Sequence, residues 1–275
     1  MKLKKKINAK LNLTLDILGV EDSFHTLKSL VCEINIGDAI KVKKRTDKNI
    51  SVIVKNHPEL NGEKNNAYKT AKAFMEKFNT QGVDIVIDKK IPIGGGLGGS
   101  SADIAGVLLL MKELFNVGKG VEELASTLGS DVNYMLKGGY AVMEGRGQIV
   151  NNFACQNKLY FLLLPALSEV SAKECYEKWD SIGVKQIPCT EKAKEYLIKG
   201  DIDSLKSVMK NDLYLPASNL LPDIANNMSI LEENAFMTGS GATVYSVFGN
   251  KKERDRDYKR LKKLVPVVKA ESVIR

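Results

Sequence analysis

The residues with the clearest chemical potential form a glycine-rich segment at positions 92–103, which reads PIGGGLGGSSAD. Its glycines let the backbone take positive φ and come close to a ligand. The amides at the start of a following helix have no helical partner and point toward an anion. A nest of this kind favours phosphate. Ser100 and Ser101 add hydroxyls that can bind phosphate oxygens or a magnesium ion, or can cap the helix.

A flexible linker is the simplest alternative for this segment. However, a strand-like run precedes it and a strongly apolar helical pattern follows it, which is not typical of a linker. The segment is not a Walker A loop, because no Gly-Lys-Ser/Thr follows the glycines, and it lacks the context of a dinucleotide-binding fold. We therefore expect a phosphate site of a different nucleotide-binding class.

Composition excludes several other kinds of site. Histidine occurs only at His25 and His57, so the sequence cannot build a histidine-based metal cluster. The four cysteines are widely spaced and contain no C-x-x-C pair, which argues against zinc ribbons and dithiol redox chemistry. We expect buried free thiols in a reducing compartment.

The net charge at pH 7 is 41 − 33 = +8. Such a charge fits nucleic acid, a membrane surface or a small anionic substrate in a cleft, and charge alone does not choose among them. The densest basic cluster, at 251–263, alternates with acidic residues on a helical pattern, which is typical of a solvated helix face.

Localisation can be predicted from two stretches. The basic residues 1–6 are not followed by the apolar stretch of an export signal. The longest apolar run, at 159–167, contains Pro165 and is far shorter than the roughly 20 residues that span a bilayer. We expect a soluble, cytoplasmic protein without a membrane partner.

The elements that must position these residues follow from hydrophobic periodicity. Alternation of Leu11, Leu13, Leu15 and Ile17 with polar residues predicts a half-buried strand. Other strand-like runs lie at 39–42, 51–54, 83–88, 140–143, 159–164, 243–248 and 265–268. Helical patterns lie at 67–78, 102–115, 121–128, 171–180, 190–199, 201–209 and 222–234.

Two of these helices carry further predictions. The helix at 102–115 is apolar nearly all round, so we expect it to be deeply buried. Gly129 is expected to end the helix at 121–128 as a C′ residue.

Strands and helices are mixed without strict β-α-β alternation, which favours an α+β fold over a doubly wound sheet. The length fits one large or two modest domains, and we predict two. The polar stretch at 151–158 is the predicted boundary, so that the domains comprise residues 1–150 and 151–275.

Three sequence blocks read AKLNLTL at 9–15, PIGGGLGGSS at 92–101 and MTGSGATVY at 237–245. In order and spacing they resemble the superfamily of galactokinase, homoserine kinase, mevalonate kinase and phosphomevalonate kinase. The resemblance implies a two-domain small-molecule kinase fold that uses ATP and Mg²⁺. It makes 1–150 the ATP-binding and catalytic domain and 151–275 the domain that completes the substrate site. The ATP-binding residues it implies are Pro92, Ile93, Gly94, Gly95, Gly96, Leu97, Gly98, Gly99, Ser100, Ser101, Ala102 and Asn65.

Within the superfamily, the chain is most similar to the 4-diphosphocytidyl-2-C-methyl-D-erythritol kinase family. The similar stretches are DSFHTL at 22–27, LGSDV at 128–132, GGYA at 138–141 and VSAKECY at 170–176. The resemblance covers most of the chain. It implies phosphorylation of the 2-hydroxyl of 4-diphosphocytidyl-2-C-methyl-D-erythritol by ATP, in non-mevalonate isoprenoid biosynthesis, with a cytidine diphosphate compound as the small-molecule partner and no nucleic acid.

Two catalytic residues carry over by motif. Asp131 matches the carboxylate that the family uses as catalytic base, which orients the attacking hydroxyl and accepts its proton. By itself it would be read as the cap of a helix. Lys10 matches a motif lysine whose ammonium would offset charge on the transferring phosphoryl group. By itself it would be read as an exposed strand lysine.

The substrate-binding residues implied by the resemblance are Asn12, Phe24, His25, Tyr176, Gly239, Ser240 and Gly241. His25 would hydrogen-bond the edge of the cytosine ring, and Phe24 and Tyr176 would sandwich the ring. Without the family, both aromatic residues would be read as core. The turn at 239–241 would lie close to the substrate phosphates, with a simple hairpin turn as the alternative. Asn65 would lie near the adenine, although by itself it reads as an N-cap.

The sequence departs from the family pattern at Ser23, Phe24, Ser100 and Asn133, where the family has Gly, Tyr, Gly and Pro. These departures leave open a kinase of the same superfamily that acts on mevalonate, homoserine or a sugar. A third hypothesis is a basic nucleic-acid-binding module, suggested by the +8 charge, but the sequence lacks an aromatic and basic stripe.

Overall fold

A computed structural model of the chain describes residues 1–166, 168–183 and 187–275. The chain divides into two compact units that alternate along the sequence. The first unit comprises Met1–Ala9, Ile36–Ile91 and Gly98–Lys137, and the second comprises Lys10–Asn35, Pro92–Leu97 and Gly138–Arg275. The single boundary between residues 150 and 151 stays a prediction.

The first unit combines strands with four helices. Its strands are the beginning of β1 (Lys2–Asn12), the end of β3 (Phe24–Lys44), β4 (Ile50–Lys55) and β5 (Val83–Asp88). β4 runs parallel to β5, and β5 runs antiparallel to the end of β3. The helices are α1 (Asn66–Phe78), α2 (Gly99–Leu114), α3 (Val121–Leu128) and α4 (Val132–Lys137).

The core of the first unit is built around α2. This helix buries Ala105, Val107, Leu108 and Met111 completely, which confirms the prediction of a deeply buried helix. Gly106 permits close packing, because a Cβ there would lie 2.7 Å from the Ile40 Cδ1 atom. Burial on all sides holds this helix in one position, so the start of α2 is a fixed point for a ligand site.

The second unit holds β2 (Asp16–Glu21), which pairs antiparallel with the beginning of β3, and β6 (Tyr140–Gly145), which pairs with β3 and β7 (Ile149–Asn152). A second antiparallel sheet has the order β11-β8-β10-β9. Its strands are β8 (Tyr160–Leu164), β9 (Ala235–Met237), β10 (Val244–Phe248) and β11 (Val268–Glu271).

Six helices complete the second unit: α5 (Ala172–Ile182), α6 (Thr190–Lys199), α7 (Ile202–Val208), α8 (Tyr214–Leu220), α9 (Asp223–Leu231) and α10 (Lys251–Leu261), counted over its described residues. Its apolar core joins strand residues such as Leu162 and Val244 to helix residues such as Leu213 and Ile224. Mixed helices and sheets confirm the α+β prediction.

Most predicted elements are confirmed, and three expectations are wrong in detail. Residues 11–17 are not one strand, because β1 ends at Asn12. The amides of Leu13 and Thr14 both donate hydrogen bonds to the Leu30 carbonyl. The last strand begins at Val268, not at 265. Gly129 ends α3 with an extended backbone (φ 163°), not with the left-handed turn of a C′ glycine.

Surface and thiol predictions are also confirmed in part. The basic cluster forms the predicted helix α10, although Arg254 is buried, donating to the Ala270 carbonyl. All four cysteines are free thiols; three are buried and Cys189 is half-buried. Within the described residues, every helix is too short or too polar to cross a membrane.

Candidate active site

The glycine-rich segment leads directly into α2. The N-cap of α2 is Gly98, whose φ of 72° lies in the left-handed region. Ser100 and Ser101 therefore lie inside the first turn, and the reading of these serines as simple caps is not what the structure shows. The first amides of this helix have no helical acceptor, so they are available to an anion such as phosphate.

The preceding part of the segment, Pro92–Leu97, interlocks with the glycine turn at 239–241. The Thr243 amide donates to the Gly95 carbonyl at 3.2 Å. A Cβ at Gly96 would lie 2.7 Å from the Gly241 carbonyl oxygen, and one at Gly239 would lie 2.9 Å from the Gly96 oxygen. Only glycine permits this backbone-to-backbone packing. Two of the three sequence blocks thus meet in the second unit.

The third block joins them through Lys10 and Asn12. The Lys10 amide donates to the Leu97 carbonyl at 3.1 Å, and the Asn12 amide donates to the Thr238 hydroxyl at 2.9 Å. The Lys10 ammonium donates to Asn12 Oδ1, and Asn12 Nδ2 donates to the Ser29 hydroxyl at 2.8 Å. Lys10 is only 4% exposed, so it is not the exposed strand lysine of the simpler reading. A buried ammonium beside a glycine loop is suited to charge on phosphate.

Asp131 belongs to the first unit and directly precedes α4. Its carbonyl accepts the Met135 amide at 3.0 Å, so the residue begins the helical turn. The side chain is half-buried. A place at the start of a helix suits both the catalytic and the capping interpretations, and the catalytic role stays a prediction.

His25 is held by one face of α5. Its ring stacks on Tyr176, with 4.7 Å between centroids and 21° between planes, and meets the Trp179 ring edge-on at 5.6 Å. The His25 Nε2 atom lies 2.8 Å from Asp180 Oδ1. Positions 176, 179 and 180 face the same way on a helix, which explains why all three reach one ring. The structure therefore brings His25 and Tyr176 into direct contact, and their roles toward a cytosine ring stay predictions.

Phe24 occupies a different environment from Tyr176. Its side chain is 52% exposed, and the Arg146 guanidinium lies over its ring at 4.3 Å from the centroid. The sandwich of a base between Phe24 and Tyr176 stays a prediction. An aromatic ring with a cationic neighbour at the surface can still stack on a base.

Asn65 caps α1. Its side-chain oxygen accepts the Ala67 amide and its Nδ2 donates to the Leu60 carbonyl, both at 2.8 Å. The next residue, Asn66, reaches the start of α2 and donates to the Ser100 hydroxyl at 2.7 Å. The structure therefore shows the capping role of Asn65, and its place near adenine stays a prediction.

One acidic side chain lies on the glycine loop. Glu169 packs so closely against Gly94 that a Cβ on this glycine would collide with its carboxylate. The described residues contain no group of three or more His, Cys, Asp or Glu that could hold a metal ion. Mg²⁺ in kinase sites is typically held by one or two carboxylates, by water and by substrate phosphates, so a single carboxylate here fits that ion.

Several residues of this arrangement were not predicted. They are Ser29, Asn66, Arg146, Glu169, Trp179, Asp180 and Thr238. Thr238 lies inside the block at 237–245, so its position in the sequence was a usable signal. Trp179 and Asp180 follow Tyr176 by three and four positions on a predicted helix, and that spacing could have identified them. No local sequence pattern identifies Ser29 or Glu169 as a site residue.

Comparison with protein families matches residues 65–142 to the GHMP kinases N terminal domain and residues 193–267 to the GHMP kinases C terminal domain. A 4-diphosphocytidyl-2-C-methyl-D-erythritol kinase from Clostridium beijerinckii is 36% identical over 271 residues, covering 95% of this chain and 96% of its own. The enzyme of that name from Caldanaerobacter subterraneus subsp. tengcongensis is also 36% identical, covering 98% of this chain and 96% of its own.

Solved structures with the same fold include a 4-(cytidine 5'-diphospho)-2C-methyl-D-erythritol kinase, at TM-score 0.82 and 24% identity over 98% of both chains. A homoserine kinase from Cytophaga hutchinsonii has a TM-score of 0.74 and 18% identity, covering 99% of this chain and 95% of its own. The Methanococcus jannaschii mevalonate kinase has a TM-score of 0.69 and 14% identity over 99% of both chains. At these identities the structural likeness shows the fold.

Proposed function

The chain belongs to the GHMP kinases, in the family of 4-diphosphocytidyl-2-C-methyl-D-erythritol kinases, and we propose on this basis that it phosphorylates the 2-hydroxyl of 4-diphosphocytidyl-2-C-methyl-D-erythritol with ATP. The observation that carries the proposal is the meeting of three motif blocks in one unit, where Lys10 contacts Leu97 and Asn12 contacts Thr238. This reaction is a step of non-mevalonate isoprenoid biosynthesis, which fits a cytoplasmic enzyme.

ATP would bind through the glycine-rich segment. The first-turn amides of α2 and the hydroxyls of Ser100 and Ser101 are the donors for the phosphate oxygens. Lys10, buried beside the loop at Leu97, adds a positive charge. Lys10 is held by its hydrogen bonds to Leu97 and Asn12, so it can stabilise developing charge without reorganisation.

The transfer step needs a proton acceptor. The substrate hydroxyl oxygen attacks the γ-phosphorus, a new O–P bond forms, and the bond from the γ-phosphorus to the bridging oxygen of ADP breaks. Asp131 would orient this hydroxyl and accept its proton, which then passes to solvent. Lys10 would stabilise the charge of the transferring group.

Mg²⁺ would neutralise charge on the β- and γ-phosphates when bound. The carboxylate that fits this ion is Glu169, because it lies directly on Gly94 of the phosphate loop.

The cytidine end of the substrate would bind near His25. The Asp180 carboxylate accepts a hydrogen bond from His25 Nε2 when that nitrogen is protonated, which leaves Nδ1 to accept one from the base. Tyr176 and Phe24 offer ring faces, and Arg146 offers a cation for a phosphate or a ring. Gly239, Ser240 and Gly241 would line the phosphate side because they pack against the glycine loop.

Steady-state ADP release tests the proposal. We expect release that requires 4-diphosphocytidyl-2-C-methyl-D-erythritol and is absent with mevalonate, homoserine and galactose. Asp131→Asn should lower kcat by about 10²- to 10⁴-fold, the usual contribution of a general base. Asp223→Asn is the matched control, because Asp223 is an exposed carboxylate in the first turn of α9.

Two results would contradict the proposal in different ways. Turnover of another alcohol in preference to the cytidine compound would assign the chain a different substrate within the same superfamily. A loss of less than about threefold in Asp131→Asn would show that Asp131 is not the base, since such groups contribute far more.

A further inference from the structure

We propose that a buried ionic cluster of Lys89, Asp38 and Asp103, here called the Lys89 clamp, positions the start of α2 for the phosphates of ATP. The Lys89 ammonium lies 2.6 Å from Asp38 Oδ2 and 2.8 Å from Asp103 Oδ2. The three side chains are 7%, 0% and 9% exposed, so water does not screen these ion pairs. The inference rests on the proposed function only in taking ATP as the ligand.

The clamp fixes the chain where it enters the glycine-rich segment. Asp38 lies on β3 and uses its second oxygen, Oδ1, to accept the amides of Lys90 at 2.5 Å and Ile91 at 2.8 Å. Lys89, Lys90 and Ile91 directly precede the segment. One carboxylate therefore holds both the ammonium and the backbone immediately before Pro92.

The clamp also fixes the chain where it leaves the segment. Asp103 is the fifth residue of α2, one turn beyond its N-terminus. Gly99 packs directly on the clamp, because a Cβ there would lie 3.1 Å from Ile91 Cγ2 and 3.4 Å from Lys89 Nζ. The residues just before and just after the glycine-rich loop are thus tied to one ammonium.

Stability alone is a poor explanation for such a cluster. Burying three ionisable side chains costs desolvation free energy that ion pairs often fail to recover, and well-packed apolar residues of similar volume are commonly as stable. Here the cluster even leaves one polar atom unused: among the described atoms, Asp103 Oδ1 is buried without a hydrogen-bond partner. What the ions do provide is a fixed distance between the two ends of a loop that glycines would otherwise leave flexible.

This fixed distance matters for phosphate binding. Backbone amides bind an anion only when several of them converge on it, and displacements of about 1 Å in a positioned group can reduce turnover by about 10²-fold. Asn66 adds a second tie, since it donates to Ser100 in the same helical turn. The first turn of α2 is therefore held from the side of β5 by Lys89 and from α1 by Asn66.

The test compares Asp103→Ala with a matched control, Arg254→Met. Arg254 is also a buried cation that bridges elements, on α10, in the other unit. We expect Asp103→Ala to raise the KM for ATP about tenfold or more, with the KM for the alcohol substrate unchanged. Arg254→Met should lower the thermal midpoint and leave the KM for ATP unchanged.

A nucleotide-binding measurement separates this proposal from the proposed function. Calorimetric titration with the non-hydrolysable analogue AMP-PNP, in Mg²⁺ and well below the thermal midpoint, measures nucleotide affinity directly. It therefore tests the effect of the clamp even if the alcohol substrate is different. Asp103→Ala should bind the analogue about tenfold or more weakly, and Asp103→Asn, which keeps an acceptor for Lys89, should recover most of the affinity.

Hydrogen exchange provides the readout if Asp103→Ala is too unstable for kinetics. Asp103→Ala should speed amide exchange in the first turn of α2 more than in its buried middle, whereas Asp103→Asn, which keeps the acceptor, should exchange nearly as slowly as the unsubstituted protein. Unchanged analogue affinity in Asp103→Ala, or equal acceleration along the whole helix in that variant, would show that the clamp only stabilises the fold.

Discussion

At the scale of single residues, Lys10 is the side chain whose chemistry depends most on its surroundings. Lys10 is 4% exposed. Its amide donates a hydrogen bond to the Leu97 carbonyl of the glycine loop, and its ammonium donates one to Asn12 Oδ1. An ammonium without competing water stabilises phosphoryl charge far better than a surface lysine does.

Lys10→Met should therefore lower kcat by about 10²- to 10³-fold, because it removes a preorganised donor while keeping the length of the side chain. Lys4→Met, on an exposed position of the same strand, is the control and should leave kcat unchanged. Steady-state kinetics at saturating ATP measures both. A similar kcat in the two variants would remove Lys10 from the catalytic machinery.

Asp103 gives the molecule a pH dependence of stability. Burial raises the pKa of its carboxyl from 3.8 to about 7, against the opposing effect of Lys89 and with the help of the Asp38 charge. Because the folded state then holds a proton that the unfolded state releases, this group makes stability fall as pH rises from about 4 to about 7. Asp103→Asn should flatten that part of a plot of thermal midpoint against pH. A slope unchanged by the substitution would show that another group titrates there.

At the scale of elements, the hairpin between β2 and β3 carries visible strain. Its two turn residues, Asp22 and Ser23, have φ of 49° and 64°, and Glu21 pairs with Phe24 across them. Positive φ at both positions is typical of a type I′ turn, in which glycine is favoured and serine is disfavoured. The turn directly precedes Phe24 and His25, so its conformation bears on the candidate base site.

Ser23→Gly should raise the free energy of unfolding by about 0.5–1 kcal/mol, because it relieves the left-handed strain more than it adds chain entropy. The control, Ser181→Gly in the last turn of α5, should lower the free energy of unfolding by roughly 0.5 kcal/mol, because glycine is a poorer helix former than serine. Urea denaturation compares the two. If Ser23→Gly also destabilises, the turn does not carry the strain described.

At the scale of the whole molecule, the glycine-rich segment passes from one compact unit to the other, since Pro92–Leu97 belongs to the second and Gly98 begins a stretch of the first. The net charge of +8 favours the binding of anionic ligands. A ligand that binds this segment only when it is folded must stabilise the protein.

ATP with Mg²⁺ at about 100 times its Kd should therefore raise the free energy of unfolding by about 2.7 kcal/mol. AMP lacks the β- and γ-phosphates and should give a much smaller increase at the same concentration. Thermal unfolding followed by calorimetry measures both shifts. Equal shifts with the two nucleotides would mean that the glycine-rich segment does not hold the terminal phosphates.

Much of the candidate site could be predicted because its chemistry is local. The glycines at 94–99, the lysine at position 10 and the glycine turn at 239–241 are recognisable in the sequence, and helices such as α3 match the predicted bounds. Strand limits were less predictable: only 39–42 of β3 was identified, because residues 29–34 of this strand are buried on both faces and show no alternation.

By itself, then, the sequence determined the motif blocks, the α+β class and the kinase family, since these depend on residue types and short spacings. Only the tertiary structure decided which distant groups meet. Asp38 reaches Lys89 across 51 positions, His25 reaches Asp180 across 155, and Asn12 reaches Thr238 across 226. Such contacts come from packing of the whole chain, because no local pattern specifies the partner of a buried charge or of a ring.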